Sequence, residues 1–195
     1  MNTNPPRGGN AISAAFGRFM LKLSGWKIVG QLPSCPKMVI AVGPHTSNWD
    51  FFLGVAVLFV LRIKISFLGK HSIFVTPFKQ FLVSIGGIPV DRRSAHGVVD
   101  QVVDAFNQHP KMILALAPEG TRSPIFPWKS GFLAIAHKAK VPVLLIGFDF
   151  KNKQVDIQKL IETSGDFEQD MQKVYAYFEK IPAKYPANVI FKSSP

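Results

Sequence analysis

One cysteine in 195 residues, Cys35, has no second cysteine to pair with. An internal disulfide framework and paired-cysteine zinc sites are therefore excluded. Acidic residues are scarce too: 12 Asp and Glu stand against 23 Lys and Arg, a formal net charge of +11. No apolar run is long enough to span a bilayer. The longest, Phe51 to Leu61, has eleven residues and is closed by Arg62, whereas a spanning helix needs about 20. The first ten residues, MNTNPPRGGN, are polar and turn-rich, with no basic segment leading into an apolar one, so no secretory signal is expected. There is no internal repeat, no Walker loop, no Gly-x-Ser-x-Gly elbow and no His-x-x-x-His pair. His71, His96, His109 and His137 are scattered singly, and no metal or cofactor site is expected.

What the chain has in abundance is apolar mass. Hydrophobic residues make up 47% of it and phenylalanine alone occurs 17 times, which excludes a disordered chain and supports one folded domain with a substantial core. The excess positive charge fits three partners: nucleic acid, an anionic membrane surface or an acidic small substrate. Zinc-finger spacing and an aromatic RNA-binding signature are both missing, so nucleic acid is not expected.

Residues 1–36 read as a polar lead and a short helix. Over 11–23 the pattern AISAAFGRFMLKL sets Ile12, Phe16, Phe19, Met20 and Leu23 at helical spacing, with Arg18 and Lys22 between them. Such a helix packs on the domain or lies in a membrane interface; packing is the first expectation. From residue 37 to 195 the chain alternates. Strands are expected at 38–43, 63–69, 88–90, 111–117 and 141–148, with NVIF (188–191) as an edge strand. Helices are expected at 49–61, 74–85, after Ser94, at 130–139 and after Asp166, which with Gln169 resembles a capping box. Strands alternating with helices, several of them apolar throughout, point to an α/β domain: a single layered unit with a largely parallel central sheet flanked by helices.

In such sheets ligands sit beyond the carboxyl ends of the strands. The unusual polar residues of this chain follow that rule. His45 comes after the first strand, Lys70 after the second, Asp91 and Arg92 after the third, Glu119 and Arg122 after the fourth. In PHTSNWDFF (44–52), Asp50 falls in the first turn of a helix and His45 in the loop before it. The carboxylate can then steady one imidazole nitrogen and leave the other facing outward as a base. Ser47 shares the loop but lacks the context of a nucleophile. In PEGTRS (118–123), Gly120 permits close backbone approach, Thr121 and Ser123 offer hydroxyls, and Arg122 offers a fork suited to phosphate. The arginines of GGIPVDRR (86–93) can supply a second arm to the same anion. Each segment alone also fits a plainer role: a helix cap, a surface ion pair, a solvated loop.

Taken in order, HTSNWD (45–50), GGIPVDR (86–92), APEGTRS (117–123) and VPVLLIG (141–147) resemble the glycerolipid acyltransferase superfamily, of which lysophosphatidic acid acyltransferases are the best-known members. PWKSGF (127–132) resembles a further Lys-x-Gly segment of that family. The resemblance covers about residues 37 to 150. It implies that His45 is the general base, oriented by Asp50, and that Arg92 and Lys70 face a phosphate. It implies that Glu119 seats the glycerol portion or holds the arginines, and that Gly120, Thr121 and Arg122 complete the phosphate cradle. The implied reaction moves a fatty acyl group from acyl-CoA or acyl-carrier protein to a lysophosphatidate-like acceptor, with no acyl-enzyme. The implied place is the inner face of the cytoplasmic membrane, held peripherally, with an anionic membrane surface as partner. Ala117 stands where the family often has Phe, and Pro89 where an aliphatic or aromatic residue is common, which leaves the acceptor open. The same chemistry on another lysolipid or a hydroxylated lipid is the near alternative; a non-catalytic basic lipid-binding module is the distant one.

Overall fold

Val39, Leu114, Val143 and Leu144 are wholly shielded from solvent, and the strands that carry them stand side by side at the centre of the molecule. The computed structural model describes residues 4–70, 72, 74–84, 86–91 and 97–191. Its elements run α1 (Ala11–Ser24), β1 (Lys27–Val29), β2 (Lys37–Gly43), α2 (Trp49–Leu61), β3 (Phe67–Lys70), α3 (Phe78–Ser84), β4 (Gly87–Val90), α4 (Val98–Gln108), β5 (Met112–Leu116), α5 (Gly131–Ala139), β6 (Val143–Asp149), β7 (Gln154–Ile161) and α6 (Phe167–Phe178). A five-stranded sheet has the order β1-β7-β6-β2-β5, and β3 pairs with β4 in a separate two-stranded sheet.

The expected α/β architecture is present, with the sheet parallel except where β7 runs antiparallel to β6. Strands β2, β5 and β6 are covered on both faces, which is why they read as continuous apolar runs. One face is packed by α4, α5 and α6 through Phe106, Leu133 and Phe178; on the other, α2 lays Leu53 and Val57 against Ile40, Ile113 and Ile146. Asp166 accepts hydrogen bonds from the backbone N–H groups of Glu168 and Gln169 and so starts α6.

Four expectations need correction. β3 joins β4 instead of the central sheet, touching it through one bridge, Ser66 to Leu114. Helix α4 begins at Val98 after Gly97, and Ser94 lies outside the described residues. Val189 to Phe191 form no strand; a turn of 3-10 helix (Pro186–Asn188) precedes them. The apolar stripe of α1 is not packed inward. Ile12, Phe16, Phe19, Met20 and Leu23 are exposed, and the helix instead buries Ala14, Gly17 and Leu21. Small side chains win that face because they let α1 approach α2 closely: a Cβ on Gly17 would stand 2.7 Å from the Ala56 carbonyl oxygen. The large side chains are left facing out, next to exposed Trp49, Phe51 and Phe52 at the start of α2. Among the described residues no helix is long and apolar enough to cross a membrane.

Candidate active site

Parallel pairing of β2 with β5 sets Ala41 opposite Leu116. The loops that follow the two strands therefore leave the sheet at the same edge, side by side. The first is Pro44 to Asn48, leading into α2; the second is Ala117 to Lys129, leading towards α5.

Asp50 sits in the first turn of α2 with 4% of its surface exposed. Its Oδ2 accepts three hydrogen bonds: from the backbone N–H of Thr46 at 3.0 Å, from that of Ser47 at 2.9 Å, and from His45 Nδ1 at 3.0 Å. A carboxylate at the N-terminus of a helix is also favoured by the helix dipole. Because Oδ2 is an acceptor, the proton of the neutral imidazole sits on Nδ1, and Nε2 keeps its lone pair. The His45 side chain is 31% exposed, so that lone pair is reachable. Ser47 is buried, and its Oγ accepts from the Trp49 backbone N–H at 3.0 Å. Its hydroxyl oxygen thus meets the first N–H of α2, whose N-cap residue Asn48 makes no side-chain cap bond.

From the second loop Glu119 turns inward, 5% exposed. Its Oε1 accepts from the backbone N–H of His45 at 2.9 Å, tying together segments 74 positions apart in sequence. Oε2 is buried with no hydrogen-bond partner among the described residues. Burial pushes the carboxyl above its ordinary value, and the His45 N–H offsets only part of that. Gly120 adopts φ 64°, and a Cβ there would come within 3.2 Å of Lys129 Nζ. The ammonium of Lys129 thus lies over the bend of the glutamate loop, and the Lys129 N–H donates to the Pro118 carbonyl at 3.0 Å. Thr121 Oγ1 accepts from the Ser123 N–H at 3.2 Å, an internal turn contact.

His45, Asp50 and Arg122 line one cavity of about 520 Å³. Its floor is apolar, running between α2 and the sheet past Ile40, Gly54, Leu58, Ile146 and Phe148. An apolar chamber with a few convergent polar groups at its mouth is what a ligand site requires. The structure thus brings His45, Asp50, Glu119 and Arg122 together, with Gly120 at the bend of the same loop. Lys70 ends β3, opposite Val90 in the neighbouring strand, but its side chain and the whole of Arg92 lie outside the described residues. Asp91 is fixed through its backbone by Gln101, at 3.0 and 2.9 Å. Lys129 is not among the site residues that the sequence pattern predicts. The signal was there, in the Lys-Ser-Gly spacing of PWKSGF. Among the described residues no cluster of three metal-ligating side chains occurs.

Comparison with known proteins bears on this arrangement. Among solved structures, the chain is similar to the 1-acyl-sn-glycerophosphate (LPA) acyltransferase, PlsC, from Thermotoga maritima. The TM-score is 0.60 and the identity 16%, over 89% of this chain and 80% of that one. That likeness establishes a shared fold. No curated protein matches the sequence. The sequence pattern of the acyltransferase family matches residues 29–148, a span that holds the histidine–aspartate loop, the glutamate–arginine loop and the cavity between them. The chain belongs to the acyltransferase family.

Proposed function

We propose that the protein moves a fatty acyl group from an acyl thioester to the hydroxyl of a lysophosphatidate-like glycerolipid at a membrane surface. The observation that carries this reading is the cavity: one chamber has a lone-pair nitrogen and a guanidinium at its mouth and hydrocarbon-lined depth behind them. His45 Nε2 takes the proton of the acceptor hydroxyl as its oxygen attacks the thioester carbonyl. The tetrahedral intermediate collapses, the thiolate leaves, and the imidazolium returns the proton to it. Asp50 keeps the ring in register and steadies its positive charge. No covalent acyl-enzyme is required.

Arg122 and Lys129 hold the acceptor phosphate, with Lys70 and Arg92 as further cationic arms. Gripping the phosphate a few bonds from the reacting hydroxyl converts an encounter into a positioned reaction. Glu119, tied to the His45 backbone through Oε1, helps to seat the glycerol portion. The acyl chain lies along the apolar floor between α2 and the sheet. The exposed stripe of α1, continued by Trp49, Phe51 and Phe52, enters the membrane interface, and the net charge of +11 favours an anionic leaflet. We place the protein peripherally on the cytoplasmic face, with acyl-CoA or acyl-carrier protein as donor.

The test is product analysis by mass spectrometry after incubation with mixed acyl thioesters and a panel of lysolipids. Diacyl phosphatidate is expected to dominate, and to vanish with His45→Ala. Retained turnover in that variant would sink the general-base role. Equal use of acceptors without phosphate would reassign the cations, and no turnover on any acceptor would favour a lipid-binding module.

A further inference from the structure

A second cavity, of about 250 Å³, lies on the far side of α2 from the first, and the two share no lining residue. It opens between the end of α1 and the start of α2 and is walled by Met20, Leu21, Trp26, Phe52 and Phe150. The single charged group lining it is Lys184. That ammonium sits 4.8 Å from the ring centre of Trp49, 5.7 Å from that of Tyr185 and 5.9 Å from that of Phe150. Ring faces attract a cation but accept none of its three N–H bonds in the way an oxygen does. Lys184 makes no hydrogen bond or ion pair among the described residues. No carboxylate lines the cavity, and Lys153 Nζ donates to the carbonyl of Ser24, one of its lining residues, at 3.0 Å.

We infer that this cavity is a discrete subsite for an anionic phospholipid of the bilayer, its alkyl chain between α1 and α2 and its phosphate on Lys184. The walls supply hydrocarbon, the mouth lies within the exposed apolar patch, and the cation supplies the charge the phosphate lacks. Such a lipid is not the acyl acceptor, because α2 stands between it and His45. It nevertheless touches the catalytic loop. Trp49 is the first residue of α2, and the backbone N–H of Tyr185 donates to Thr46 Oγ1 at 3.3 Å. Filling the subsite therefore braces the loop that carries His45, and the bilayer acts as a regulator as well as a source of substrate. The inference rests on the membrane-surface reading above, but its test involves no turnover.

Two of the three tryptophans, Trp26 and Trp49, line the subsite, and Trp128 is buried elsewhere. Tryptophan quenching is therefore a local probe. Vesicles of phosphatidylcholine and phosphatidylglycerol, identical in composition, are made with bromine on the chains of one lipid or of the other. The wild type is expected to be quenched more strongly when the anionic lipid carries the bromine, reflecting an enrichment of about fivefold for roughly 1 kcal/mol per cation–lipid contact. Lys184→Gln is expected to erase the preference, while Lys184→Arg and the control Arg18→Gln keep it. Equal quenching by the two labelled lipids in the wild type overturns the proposal, whatever the variants do. So does a preference that survives Lys184→Gln in protein shown by melting to be folded, or one lost equally in Arg18→Gln, which would mean diffuse surface charge. Inorganic phosphate without vesicles is expected to leave the emission unchanged; an equal change would make the ligand a free anion.

Discussion

Replacing Asp50 with asparagine removes one charge and no heavy atom from the centre of the site. Its outcome follows from the three donors that converge on Oδ2. Two of them are backbone N–H groups, which can only donate, so the amide must present its oxygen there. Its NH2 group then occupies the place of Oδ1, which has no hydrogen-bond partner among the described residues. His45 Nδ1–H keeps an acceptor, the tautomer is preserved, and Nε2 remains a base. What disappears is the negative charge beside the imidazolium of the proposed transition state. The difference between a charged and a neutral hydrogen bond is about 1 kcal/mol. The full attraction of unit charges about 4 Å apart is roughly 4 kcal/mol at an effective dielectric of 20. The loss should fall between these limits, about 5- to 1000-fold in kcat. Single-turnover thiol release at saturating acceptor measures it, with thermal melting to verify the fold. A fall as deep as that of His45→Ala would show that the amide had flipped and that the two N–H groups do not pin it. A fall of less than about twofold would show that the charge is not felt by the reaction.

Gly54 lies in the middle of α2 facing the cavity of about 520 Å³, where an added Cβ meets only the Phe148 ring at 3.9 Å. Gly54→Ala should stabilise the protein by about 0.5–1 kcal/mol, read by denaturant melting, and Gly54→Leu should shift donor preference towards shorter chains, read by product mass; an unchanged chain-length profile would remove the acyl chain from this cavity. Burial raises the Glu119 carboxyl, so the stability it contributes is present below the ordinary carboxylate range and lost as pH rises through the raised value. Glu119→Gln should therefore melt above the wild type at neutral pH, with the gap closing as pH falls towards about 4, while acyl transfer drops; a gap independent of pH would contradict the assignment. Gly17→Val would press on the Ala56 carbonyl and should cost about 1–3 kcal/mol. That corresponds to a melting temperature lower by about 2–12 °C, and an unchanged one would mean that α1 does not dock there.

Some of this molecule could be read from its residues alone. Strands β2, β5 and β6 announce themselves because both of their faces are buried, so nothing polar interrupts them. Helix α2 announces itself by its polar entry and its closure at Arg62. The histidine–aspartate pair is legible because a loop and one helical turn are local geometry. β7 escaped notice because Gln154, Asp156, Gln158 and Lys159 break up its apolar residues, and β1 because it is three residues long. The isolation of β3 and β4 is a matter of partner choice, which no short stretch encodes. The same holds for the Glu119 contact with the His45 backbone, which depends on the register of two strands far apart in sequence. In α1 the periodicity correctly marked two faces, but it could not say that Ala14 and Gly17 would be the buried ones. Close approach of two backbones outweighed the burial of larger side chains.

The hydrogen bond from the His45 backbone to Glu119 has a consequence for selectivity. Whatever settles the glutamate loop also settles the position of the imidazole, and linkage requires the influence to run equally in both directions. A substrate that engages the cations on that loop sharpens the aim of the base. One that cannot engage them meets a histidine with more freedom to wander. Discrimination between acceptors should then appear in the rate of the chemical step as well as in affinity, because recognition and proton removal share one mechanical support.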